Sequence, residues 1–336
     1  MDLHRRITAR MPHNLQAKTL AALCLSSTLL VSTQASAGLL DFLFPKKDDY
    51  TQTRYPIVLS HGLFGFGQIA GIDYWFGIPG ELRKGGAEVL ISESSAVNSN
   101  EVRGEQLIAQ LEQWAAAKGY KKFNLIGHSQ GGGDVRYVLG ARPDLVASVT
   151  TVGASHKGSG VADAIDLAPD NPAIREPIAA VVNVVGKTIN LLSGNIPLPP
   201  QDALGALGSL TTVGAADFNR RFPAGIPTTA CGEGSYQLNG IRLYSWIGSH
   251  TLTNPLDGGN DLGMAAGALV NRLMGKGDSD GMAPVCGSHF GQVIRDNYVM
   301  NHVDEINHLF GNVSPLETNP KTLFRQHANR LKLAGL

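Results

Sequence analysis

Lys122-Phe-Asn-Leu-Ile-Gly-His-Ser-Gln-Gly-Gly132 runs an apolar strand directly into the pentapeptide Gly127-His-Ser-Gln-Gly131. That pentapeptide has the G-x-S-x-G form of a nucleophile elbow. Ser129 then sits on a very sharp strand-to-helix turn, in a strained conformation that projects its hydroxyl from the sheet edge. Side chains two residues to either side would collide, so glycine is required at both positions. The helix that starts here also points its N-terminal N–H groups toward developing negative charge. A bare five-residue pattern recurs by chance, and a structural glycine turn with an exposed serine is the plain alternative. The context argues for the elbow, because a strand enters it and the helix-compatible stretch Gly131 to Leu139 leaves it.

The pattern extends in both directions. Tyr55 to Ser60 is a buried strand, with Ile57, Val58 and Leu59 as a continuous apolar run. Leu107, Ile108, Leu111, Trp114 and Ala115 recur at helical spacing, and Gly119 follows as a stop signal. Leu145 to Val152 is a further strand, and Ile241 to Ile247 another. Strand, helix, strand in this order predicts an α/β fold, a mostly parallel central sheet with helices on both faces. Residues 161–215 differ, with only seven charges in 55 positions and apolar residues crowding Ile174 to Leu192. They read as helices covering something apolar. With no internal repeat and no clean linker, one domain over residues 38–336 is expected, with a cap inserted at about 161–215 and residues 38–53 as a polar tether.

The N-terminus points to export. Arg5, Arg6, Arg10 and Lys18 precede a short apolar run, Leu20 to Val31, and Ala35-Ser-Ala37 offers the small residues a signal peptidase reads. About 12 apolar residues fall short of the ~20 that cross a bilayer, and Leu23 before Cys24 argues against lipidation. Cleavage after Ala37 removes residues 1–37 as a signal peptide and leaves 299 of the 336 residues. It takes four basic residues and Asp2 from totals of 28 and 28, so 24 basic face 27 acidic side chains, a net −3. No basic patch suggests nucleic acid. Cys231 and Cys286 are the cysteines that remain. In an oxidising compartment they most simply pair, with two buried free thiols as the alternative.

In this fold the partners of the nucleophile follow in the order acid, then histidine. That excludes His4, His13, His61 and His128. His156 comes directly after the strand following the elbow, too early, and His327 lies in an Arg-rich terminal helix where a surface position is expected. Asp280 in Gly277-Asp-Ser-Asp-Gly281 and His302 in Asn301-His-Val-Asp304 are candidate acid and base, with Asp278 and His289 as rivals. An oxyanion hole needs two donors. The natural pair is the backbone N–H of Leu63, in the turn His61-Gly-Leu-Phe-Gly65, and of Gln130; an ordinary strand-to-helix turn is an equal alternative for the former.

Beyond these motifs, the chain resembles the secreted bacterial triacylglycerol lipases of the Pseudomonas and Burkholderia type. The similar segments are Tyr55 to Gly65, Asp73-Tyr-Trp-Phe-Gly-Ile-Pro79, Glu101-Val-Arg-Gly-Glu-Gln106, Gly127 to Gly132, Thr229-Ala-Cys-Gly-Glu-Gly234, Val293-Ile-Arg-Asp-Asn-Tyr298, Asn301-His-Val-Asp-Glu-Ile306 and His327-Ala-Asn-Arg-Leu-Lys332. The resemblance implies an α/β-hydrolase fold with a helical lid. It implies Ser129 as nucleophile, His302 as general base, Asp280 as its orienting acid, and Leu63 and Gln130 as oxyanion donors. A Cys231–Cys286 disulfide is implied as well. So is structural Ca2+, held by the Asp257 and Asp304 carboxylates and the backbone oxygens of His308 and Asn312. The implied substrate is a lipid ester at an oil–water interface, and the implied folding partner a periplasmic lipase-specific foldase, with a monomer expected. A carboxylesterase or polyester depolymerase using the same triad is the alternative, and a binding protein that lost catalysis is a more distant one.

Overall fold

β5 (Phe123–His128) lies inside the sheet because all six of its residues are buried, Phe123, Leu125 and Ile126 among them. In chain order it is preceded by β1 (Ile57–Ser60), β2 (Gln68–Ile69), β3 (Ile72–Asp73), α1 (Ile78–Lys84), β4 (Val89–Ile91) and α2 (Asn100–Lys118). It is followed by α3 (Gly131–Ala141), β6 (Val146–Val152), α4 (Gly160–Leu167), α5 (Ala203–Leu210) and α6 (Thr212–Arg221). β7 (Gln237–Leu238), β8 (Ile241–Gly248), α7 (Gly258–Leu273), β9 (Gln292–Tyr298), α8 (His308–Gly311) and α9 (Pro320–Leu333) complete the order. This computed structural model describes residues 48–69, 71–167, 194 and 199–336. The expected signal segment, its cleavage point at Ala37 and the run Ile174 to Leu192 lie outside the described residues.

The strands form one seven-stranded sheet in the order β4-β1-β5-β6-β8, with β7 and β9 both pairing β8. Within this sheet every pairing is parallel except β7 with β8; β2 and β3 pair antiparallel in a separate two-stranded sheet. A parallel strand is covered on both faces, so its residues alternate between two cores. Ile57, Leu59, Ile126, Val152 and Trp246 pack on one face with Ile78 and Leu82 of α1 and Leu323 and Phe324 of α9. Val58, Phe123, Leu125, Val149 and Leu243 pack on the other with Leu107, Ile108 and Leu111 of α2 and Val135 and Val138 of α3. The helical spacing of α2 buries those leucines, Ser99 caps its first turn by accepting from Val102 N, and Gly119 ends it in the left-handed conformation.

Within the segment expected as a polar tether, residues 48–50 and 52 are exposed, but Thr51 is fully buried: its hydroxyl donates to the Leu82 carbonyl (2.5 Å), and its N–H donates to Gly85 O (2.9 Å). β9 escapes a reading for periodicity, because Gln292, Arg295, Asp296 and Asn297 interrupt its apolar residues at the sheet edge.

Cys231 and Cys286 are joined as a disulfide across 55 residues. Closing such a loop stabilises by roughly 4 kcal/mol in the chain-entropy account. Replacing both cysteines by serine is therefore expected to move the urea midpoint down by an amount reductant reproduces in the parent protein. A parent midpoint indifferent to complete reduction would contradict this. Among the described residues no helix is long and apolar enough to cross a membrane.

Candidate active site

β1 and β5 run in parallel register with Ser60 opposite Gly127, so the turns that leave them are neighbours. Ser129 has φ 55°, a left-handed conformation that a non-glycine residue rarely adopts. Its N–H donates to Val152 O (2.9 Å), which holds the strained turn against the end of β6. Gly62, from the turn after β1, lies so close that a Cβ there would stand 2.7 Å from Ser129 Cβ.

Two later loops bring the remaining side chains to this point. Asp280 follows α7 and is fully buried; its Oδ1 accepts from Met282 N (2.8 Å) and Ala283 N (2.7 Å). Its Oδ2 accepts from His302 Nδ1 at 2.7 Å, and His302 N donates to the Asp280 carbonyl at 3.0 Å. Facing a carboxylate, Nδ1 carries the ring hydrogen, so Nε2 is left as an acceptor. Nε2 stands 2.9 Å from Ser129 Oγ. The arrangement can take up the serine proton as the hydroxyl attacks an electrophile. The rivals are elsewhere: Asp278 is exposed and pairs with Arg272, and His289 is held between Gly232 O and Asp296. Among the described residues the Leu63 and Gln130 N–H groups have no acceptor, as free oxyanion donors require, and Gln130 stands at the N-cap of α3.

Known proteins share this fold. A family model described as alpha/beta hydrolase fold matches residues 55–289. A triacylglycerol lipase of Vibrio cholerae is 53% identical over 85% of this chain and 90% of its own length, and one of Pseudomonas fragi is 41% identical over 86% and 100%. The chain belongs to the α/β-hydrolase family of bacterial triacylglycerol lipases. It is a serine ester hydrolase of that family. The fold is also that of Staphylococcus hyicus lipase, with a TM-score of 0.55 at 18% identity, covering 86% of this chain and 98% of that one.

Around Ser129, His302 and Asp280 of this lipase-family chain lie groups that spacing alone did not single out. Glu305 is buried beside Asp280; its Oε1 accepts from Gly248 N (2.6 Å). Burial, and then the Asp280 charge, push its carboxyl well above the usual carboxylate range. Protonated, its Oε2, otherwise without a partner, becomes a donor toward Asp280. Gly153 makes the room, since a Cβ there would meet both Glu305 and Asp280. His128 Nε2 stands 3.7 Å from the same Glu305 oxygen, but burial holds that imidazole far below its ordinary value. The two meet as neutral groups and not as an ion pair.

His327 corrects an expectation. Expected at the surface, it is 1% exposed, its Nε2 bonds Thr150 Oγ1 at 2.8 Å, and it packs edge-on to Trp246. Its Nδ1 stands 2.9 Å from Arg330 Nη1, so even a basic neighbour along α9 packs onto the buried ring. His156, set aside as base, is buried between Thr151 Oγ1 and Arg136.

The four residues expected around calcium fall on three neighbouring segments. Asp304 Oδ1 is buried without a hydrogen-bond partner. Burial first, and also the charges of Asp261 and Asp257, raise the Asp304 carboxyl to about 6. Burial, with the Asp261 charge added, raises Asp257 as well. Asp261 itself is occupied, accepting from Thr253 N, Asn254 N and Asn301 Nδ2. Asn254 Nδ2 donates to Asn312 Oδ1 (2.7 Å) and Val313 O (3.0 Å), which ties the 312 segment to the one bearing Asp257. An orphaned buried carboxylate oxygen among uncompensated acids fits a hard cation.

Proposed function

We propose that this enzyme is a secreted triacylglycerol lipase acting through Ser129, His302 and Asp280. The observation that carries the reading is the unbroken chain from Ser129 Oγ to His302 Nε2 (2.9 Å) and from His302 Nδ1 to Asp280 Oδ2 (2.7 Å), on a strained elbow. Ser129 Oγ attacks the ester carbonyl while His302 Nε2 takes its proton. The Leu63 and Gln130 N–H groups receive the charge that develops on the carbonyl oxygen. The proton then passes to the leaving alcohol and an acyl-enzyme remains. Water, deprotonated by His302, releases the fatty acid and restores Ser129.

Apolar surface supports a lipid substrate over a soluble ester. Ile165 and Leu167 on α4, and Leu262, Leu269 and Leu273 on α7, are exposed, and α4 packs against α7. Exposed apolar side chains on two helices in contact suit an oil–water interface. The assay is turnover of emulsified triolein against a soluble short-chain ester. A lipase is expected to be faster on the emulsion. Activity confined to the soluble ester would make it a carboxylesterase, and activity on neither would make it a binding protein. Export with cleavage after Ala37, monomeric state and help from a periplasmic foldase belong to the same reading, supported by the basic and apolar N-terminal segment, the sequence resemblance described above and the disulfide.

Structural Ca2+ is part of the proposal. The Asp257 and Asp304 carboxylates and the His308 and Asn312 backbone oxygens would hold it. Bound there, it would supply fixed positive charge that compensates the buried acids and ties the loop of His302 to a distant segment. Chelator is expected to lower the melting temperature and, more slowly, activity. Asp257→Ala should do the same, and chelator should then add little. The pH dependence follows from Asp304. A carboxyl raised to about 6 when folded costs the metal-free protein stability above that pH and recovers it as the pH falls. Calcium needs the ionised form, so its increment in melting temperature should be large at pH 7.5 and shrink toward pH 5. A chelator effect of equal size in wild type and Asp257→Ala would put the metal elsewhere.

A further inference from the structure

A buried hydrogen-bond chain joins the turn after β1 to the loop that carries His302. Gly62 N–H donates to Tyr74 Oη at 3.1 Å. Tyr74 Oη lies 2.7 Å from His128 Nδ1, and His128 Nε2 lies 3.0 Å from the His302 carbonyl. Tyr74 is 8% exposed and His128 2%. The protons have one consistent arrangement. A carbonyl only accepts, so His128 Nε2 carries the hydrogen; the neutral ring then offers Nδ1 as acceptor. Tyr74 O–H donates to it, and its oxygen remains free to accept Gly62 N–H.

The same glycine is held from its other side. Gly62 O accepts from Gly65 N (3.1 Å) and from His61 Nδ1 (2.9 Å). That carbonyl and the Leu63 N–H belong to one planar peptide and point in opposite directions. Pinning the oxygen aims the Leu63 hydrogen, and pinning the Gly62 N–H fixes where the peptide stands. Tyr74 is itself gripped by rings, edge-on to His61 (5.9 Å between centroids), Trp75 (5.6 Å) and His308 (5.6 Å).

We infer that Tyr74 and His128 are positioning residues that set the Leu63 oxyanion donor at a fixed distance from the base His302. The inference rests on the triad and oxyanion reading above. His128, one of the two unspecified positions of the elbow pentapeptide, thereby links all three parts of the site: it adjoins Ser129 in the chain, holds the His302 backbone and anchors the Gly62 turn through Tyr74. Donors aimed at a developing charge lose most of their effect when displaced by a fraction of an ångström.

The test compares wild type, Tyr74→Phe, His128→Leu, His128→Asn and the Tyr74→Phe/His128→Leu double variant on p-nitrophenyl butyrate. A trifluoromethyl ketone, whose reversible serine adduct carries an oxyanion, supplies the second readout. Tyr74→Phe and His128→Leu are expected to lower kcat by about 10- to 100-fold with KM within about threefold. Ketone affinity should fall in the same proportion as kcat/KM. The double variant should be no worse than the weaker single one, because both break one chain. His128→Asn, which returns an acceptor to the Nδ1 position, should recover part of the loss. Melting temperature and end-point fluorophosphonate stoichiometry follow folding in every variant. Wild-type ketone affinity in folded Tyr74→Phe or His128→Leu, or single losses that multiply in the double variant, would overturn the inference. Failure of wild type itself to label at Ser129 would strike the triad reading instead.

Discussion

Ser129→Ala is expected to lower ester turnover by roughly four to six orders of magnitude and to abolish labelling by a fluorophosphonate probe. The hydroxyl is the group His302 Nε2 faces at 2.9 Å, and alanine leaves the imidazole with no nucleophile to activate. Stability should change little, because the Ser129 N–H to Val152 O bond that secures the turn is made by the backbone. Relief of the left-handed strain is not available to alanine either, which keeps the same Cβ at φ 55°. Intact-mass spectrometry after labelling, followed by peptide mapping, should find one adduct at Ser129 in wild type and none in the variant. An adduct on another serine, with turnover surviving in Ser129→Ala, would remove Ser129 from the mechanism.

Gly131→Ala is expected to be nearly as damaging for a purely steric reason. A Cβ at residue 131 would stand 2.3 Å from Ser60 O and 2.7 Å from His61 O, both backbone atoms of β1 and its turn. No side chain can rotate away to make room. β1 or the start of α3 must move, and either displaces Ser129 relative to the Gly62 turn. A loss of more than about 3 kcal/mol together with most of the activity is expected. Two control glycines frame the result. Gly80 in α1 and Gly263 in α7 have nothing within 4 Å of a built Cβ and no left-handed φ. Alanine there should be neutral or stabilising by about 0.5–1 kcal/mol. Urea midpoints of the three variants, with p-nitrophenyl butyrate turnover, provide the comparison. A Gly131→Ala enzyme with the parent midpoint and full activity would show that the elbow tolerates what these contacts forbid.

The legible parts of this protein were those whose cause is local. Gly127 declares a turn because a Cβ there would collide with the backbone of Gly131 and Gly132, a few residues along the chain, whereas the backbone that excludes a Cβ at Gly131 is brought there by β1. The runs in β1, β5, β6 and β8 declare strands because a strand covered on both faces has little place for polar side chains. α2 declares itself by leucines at helical spacing between Ser99 and Gly119. These segments determined a parallel α/β architecture and marked Ser129 as its candidate nucleophile.

Other features are hidden for an equally physical reason. Residues near Asp280 and His302 read as turns, and so do those of their rivals Asp278 and His289. Which pair meets depends on where the loops after α7 and β9 arrive, with His302 173 residues from Ser129 along the chain. His327 looked exposed because its neighbours in sequence are basic, yet Thr150 on β6, 177 residues away, supplies its partner. Glu305 gave no signal at all, since a carboxylate becomes a neutral donor only when folding buries it against Asp280. Sterics between adjacent residues are written into the sequence and could be read from it. The matching of buried donors to acceptors across the sheet, and the protonation that burial imposes, exist only once distant segments are packed together, and tertiary structure alone decided them.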